Sequence, residues 1–87
     1  MKYIVVDDGL SDNPYIFPDH IQHFYMLSVV GGKIISAGFV RFTPEELECY
    51  GESLSLGIKS RPICDTQLIK RLIGGKDFTS ESEVNDD

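Results

Sequence analysis

Residues 34–56 read IISAGFVRFTPEELECYGESLSL, and how they are read decides the fold. Ile34, Ile35, Phe39, Val40 and Phe42 form one β-branched and aromatic run, and Leu47, Cys49, Tyr50, Leu54 and Leu56 form a second. Thr43-Pro44-Glu45-Glu46 lies between them. Proline presets φ for the first central position of a type I turn and cannot donate to a ladder, so the stretch predicts two strands joined by a turn. The apolar positions change parity twice, near Gly38 and again near Gly51. A one-residue slip turns every side chain to the other face, and glycine in a strand is a common seat for the bulge that does this. A bent, strongly twisted hairpin is expected; two central strands apolar on both faces would give a similar pattern.

Upstream, Lys2 to Val6 (KYIVV) predicts a first strand closed by Asp7-Asp8-Gly9. Gly9 to Pro14 has the composition of a loop, and Tyr15-Ile16-Phe17 is held extended by Pro18, as an edge strand or an apolar strap. Pro18 and Asp19 suit the first turn of a helix over Asp19 to Val30, with Ile21, Phe24, Tyr25 and Ser28 on one face, Leu27 and Val29 at its margin, and Gly31-Gly32 as the stop. Downstream, Gly57 to Pro62 is a polar connection. Asp65 or Thr66 then caps a second helix striped by Leu68, Ile69, Leu72 and Ile73, with Gln67, Lys70 and Arg71 toward water and Gly74-Gly75 as its end. The order predicts an α+β domain over residues 1–75: a small antiparallel sheet built on the central hairpin, with two short helices packed on one side. Residues 76–87 carry Asp77, Glu81, Glu83, Asp86 and Asp87 against Lys76 alone, and predict a disordered acidic tail.

At 87 residues the chain holds one small core. Its net charge of −6 argues against a phosphate-backbone binder, so nucleic acid is not an expected partner. No run is long and apolar enough for a membrane span, and MKYIVVDDGL lacks the features of a signal peptide. A cytoplasmic location follows as the expectation, with Cys49 and Cys64 as buried or half-buried thiols.

Four patterns invite a chemical reading. Gly51-Glu52-Ser53-Leu54-Ser55-Leu56-Gly57 departs from a nucleophile elbow in spacing, and both histidines precede it, so these serines read as outward strand positions. His20 and His23 stand three apart at the start of the first helix, where a third ligand from Asp7, Asp8 or Asp12 would complete a metal site; outward polar positions explain them more simply. Neither Gly-Gly-Lys has the flanking residues of a phosphate-binding loop, and no cofactor is expected. Glu45, Glu46, Glu48 and Glu52 read as a solvated face. The remaining candidate is a binding surface of Arg41, Tyr50, Ser53, Ser55, Lys59, Ser60 and Arg61. It offers donors and one aromatic platform beside two glycines, for a small anion, an acidic peptide or a protein surface. The bland reading, in which Lys59 and Arg61 only solubilise a loop, stands beside it.

The run SAGFVRF, followed by CYGESLSLGIKSRP and DTQLI and preceded by FPDHIQH, resembles small bacteriophage- and prophage-encoded proteins of no known activity. The likeness covers Phe17 to Ile73. It implies a bacterial or phage cytoplasmic setting and an accessory role, and it brings no catalytic residue. The functional expectation is therefore a non-catalytic binding protein acting on a host or phage protein, with self-pairing at an edge strand as a route to a homodimer. A small metal-dependent or hydrolytic enzyme using His20, His23 and nearby aspartates, and an acidic nucleic-acid mimic, are the alternatives.

Overall fold

The structure is a computed structural model that describes residues 1–74. The expected acidic tail lies outside the described residues. Strands β1 (Lys2–Asp7), β2 (Asp12–Phe17), β3 (Lys33–Phe42) and β4 (Leu47–Tyr50) form an antiparallel sheet in the order β2-β1-β3-β4. Helix α1 (His23–Val30) joins β2 to β3. After β4, a ribbon of β5 (Glu52–Ser53) and β6 (Ile58–Lys59) leads into helix α2 (Pro62–Gly74). The α+β class and the central hairpin are as the sequence predicts. Thr43 closes the turn, its N–H donating to the Glu46 carbonyl at 2.8 Å while its hydroxyl accepts the Glu46 N–H at 2.9 Å.

The helices, expected on one side, lie on opposite faces. The reason is visible in β1, which alternates between two cores. Tyr3 and Val5 point to one face, with Val40, Cys49 and Ile69 of α2. Ile4 and Val6 point to the other, with Phe17, Ala37 and the partly buried Met26, Leu27 and Val30 of α1. A strand buried on both faces reads as a continuous apolar run, and KYIVV is one. On the outer side of β1, β2 is an edge strand, which accommodates Pro14 because proline cannot serve a central ladder.

The irregularities also fall elsewhere than expected. The register shift lies between Val5 and Val6, which pair with Ser36 and Ile34, so the extra residue is Ile35 and not Gly38. Gly38 has a different role: a Cβ there would sit 2.5 Å from the Tyr50 carbonyl oxygen and 3.1 Å from Ser60 Cβ, so the crossing of β3 with the chain after β4 requires glycine. Gly51, at φ +79°, does more than bend the second strand; it ends β4, and the next residues pair as a separate ribbon in which Leu54 to Gly57 make the turn.

Helix α1 begins at His23, four residues later than predicted, because Pro18 to Ile21 form a turn closed by the Ile21 N–H on the Pro18 carbonyl at 3.1 Å. Its buried face is His23, Met26, Leu27 and Val30, at i, i+3, i+4 and i+7, whereas Phe24, Tyr25 and Val29 are exposed. Nearly every residue of this helix is apolar, so periodicity alone does not choose the inward face. Helix α2 opens on Pro62 and not at Asp65 or Thr66; proline suits the first helical position because its missing N–H has no partner there. Leu68 and Ile69 reach the core, while Leu72 and Ile73 of the expected stripe are exposed. Cys49 is buried and Cys64 exposed, both as free thiols. Among the described residues, no helix is long and apolar enough to cross a membrane.

Candidate functional site

The two faces of the sheet each carry a concave site. On the α1 face, a cleft of about 280 Å³ lies between the start of β1, the first residues of α1 and the β5–β6 turn, lined by Lys2, Gln22, His23, Phe39, Glu52, Leu54 and Ser55. His23 forms its inner wall and is 5% exposed. Its ring stands edge-on between Phe17 and Phe39, with centroids 5.6 and 5.7 Å away, and Phe39 stacks on Tyr50 at 5.8 Å. His23 Nε2 donates to the Gly38 carbonyl at 2.8 Å, so the neutral ring carries its proton on Nε2 and its lone pair on Nδ1. Burial pushes the imidazole below the ordinary histidine range, and the charge of Lys2 adds to this against the opposing pull of the Gly38 carbonyl.

On the α2 face, Asp65 is fully buried one turn into its helix. One carboxylate oxygen accepts the Tyr3 hydroxyl and, at 2.8 Å, the Arg61 N–H; the other accepts Arg61 Nε at 3.1 Å. The Arg61 guanidinium also lies 3.8 Å from Asp12 of β2. The cluster therefore ties the start of α2 to β1 and β2. Burial, then the bond to Asp65 and its charge, pushes the Tyr3 phenol far above its ordinary range; burial likewise raises the Cys49 thiol, so neither is a ready nucleophile. Beside this cluster a groove of about 400 Å³ runs between β4 and α2, lined by Glu46 to Cys49 on one wall and by Pro62, Ile63, Thr66, Gln67 and Lys70 on the other.

The residues singled out by sequence do not converge on one site. Arg41 is exposed on β3, paired with Glu48, its guanidinium 5.2 Å from the Tyr50 ring centre. Ser53, read as outward, is buried at the base of the ribbon and accepts the Leu56 N–H at 3.2 Å, whereas Ser55 is exposed on the rim of the α1-side cleft. Lys59 is exposed on β6 opposite Glu52. Ser60 donates its N–H to the Gly51 carbonyl at 3.0 Å and packs against Gly38, and Arg61 is taken up by Asp65. His20, exposed and outside α1, shares no helix face with the buried His23, and Asp8 spends its carboxylate on the N–H groups of Leu10 and Ser11 and the Asn13 amide. Among the described residues, no group of three His, Cys, Asp or Glu side chains is placed to hold a metal.

Sequence reasoning gave Lys2, Tyr3 and Asp65 structural places but no part in a site, and it set His23 outward. The spacing of His23 with Met26, Leu27 and Val30, and that of Arg61 with Asp65, would have corrected two of these readings. No protein-family model matches the chain, and searches of curated proteins and of solved structures return no match.

Proposed function

We propose that the chain is a small non-catalytic binding protein that holds a short extended segment of a partner protein in the groove between β4 and α2. One observation carries this reading: β4 is the outer strand of the sheet, with β3 as its one neighbour, and it borders a groove of about 400 Å³ instead of a flat surface. The Cys49 N–H points away from β3 and donates to Thr66 Oγ1 at 3.0 Å, so α2 closes one end of the strand edge. Leu47, two residues along, presents its backbone the same way and is where an added strand would pair. Ile63, 77% exposed on the helical wall, is the apolar side chain such a segment would cover, and Glu46 on the facing wall favours a basic residue in it. The partner we propose is a host or phage protein, in keeping with the phage or prophage setting expected from the sequence.

The test is capture of a partner from a bacterial host by the tagged chain, compared with two exposed substitutions on opposite faces. Ile63→Asp is expected to abolish capture and Phe24→Asp to leave it intact; the reverse pattern, or capture by neither form nor the parent, overturns the reading. A second reading, self-association through the outward face of α1, is favoured by Phe24, Tyr25 and Val29 standing 49%, 57% and 62% exposed. Light scattering on a sizing column decides it: a monomer at high concentration removes the dimer.

A further inference from the structure

The cleft on the α1 face carries an inference independent of that groove. Lys2 and Glu52 line the same cleft with opposite charges, and among the described residues neither makes an ion pair. Lys2 Nζ donates to the Ile21 carbonyl at 3.0 Å, which fixes the amine beside the start of α1 with further N–H bonds to give. That helix start has no side-chain cap on Gln22, so its first N–H groups and the positive end of its dipole add to the same side. His23, nine-tenths buried, lines the same cleft, and among the described residues its Nδ1 makes no hydrogen bond. Phe39 and the 85% exposed Leu54 supply apolar surface within the same space.

From this juxtaposition we infer that the cleft is a site for a free amino acid with an apolar side chain. The carboxylate sits at Lys2 and the start of α1, with the Ser55 hydroxyl within the lining; the ammonium donates to His23 Nδ1 and Glu52; the side chain lies on Phe39 beneath Leu54. A molecule bearing both charges can pair with Lys2 and with Glu52, whose cross-strand neighbour Lys59 is not part of the cleft lining. A cleft of about 280 Å³ is at the small end for organic ligands, which suits such a molecule.

Amide chemical shifts of the full chain, followed during titration, test this with three probes: leucine, 4-methylpentanoate, which lacks the amine, and 3-methylbutylamine, which lacks the carboxylate. Leucine is expected to move the His23 and Ser55 amides, with each half-probe bound at least about tenfold more weakly, since each loses a charge-assisted hydrogen bond. Lys2→Gln should erase the advantage of leucine over the amine, and Glu52→Gln its advantage over the carboxylate. Both replaced side chains lie outside the buried cores. No movement at these amides with about 10 mM leucine, or a half-probe that binds as well as leucine, overturns the inference.

Discussion

The two faces of the sheet bury polar groups of similar size under opposite rules. On the α2 face Asp65 is enclosed by donors from Tyr3 and Arg61, and both its oxygens are occupied. On the α1 face His23 makes one hydrogen bond among the described residues and lines open space. A carboxylate taken out of water must be surrounded or it destabilises the fold; an imidazole can be buried neutral at far lower cost. The α2 face thus reads as a lock between helix and strands, and the α1 face as one whose buried ring borders open space.

The largest expected effect tests the lock. Asp65→Ala leaves the Tyr3 hydroxyl and the Arg61 guanidinium without their acceptor, and should cost about 3–5 kcal/mol in a urea titration. A loss under about 1 kcal/mol would show that the cluster is not what holds α2 to the sheet. Next comes the pH response of the other face. Burial sets the folded-state affinity of His23 for a proton below that of the unfolded chain. As pH falls from neutrality through the ordinary histidine range, the unfolded state therefore gains its proton first and stability drops, levelling off below the depressed value. His23→Phe should flatten that part of the stability profile, and an unchanged slope would locate it in another group. The smallest effect has the opposite sign. Ser36 Oγ is buried without a partner among the described residues, on the α2 face opposite Val5, and Ser36→Ala should leave stability unchanged or raise it by about 1 kcal/mol. A marked loss would reveal a bond to this hydroxyl.

The hairpin was legible because Pro44 and its neighbours forbid a ladder where they stand, a local constraint that tertiary packing does not override. The same holds for β1 and for the body of α2. The inward face of α1 was not legible, since Phe24, Tyr25 and Val29 are as apolar as Met26, Leu27 and Val30 and only the sheet beneath selects between them. Placement of the helices on opposite faces was hinted at by the unbroken apolar run of β1, but the hint concerns one strand and not the helices. Of the site residues, Arg41 and Tyr50 lie near one another across the hairpin. The Tyr3–Asp65 bond joins residues 62 positions apart, and no local pattern announces such a pair.

Lys2 is matched in register with both Phe17 and Phe39, so β1 serves as the middle of a sandwich of partners that become available at different times. During synthesis on a ribosome, the β1–β2 hairpin can zip as soon as its short turn is out, but the other edge of β1 stays bare until α1 and then β3 have emerged. For that interval an apolar strand edge stands open, and a neighbouring nascent copy offers it the same β3 sequence it is waiting for.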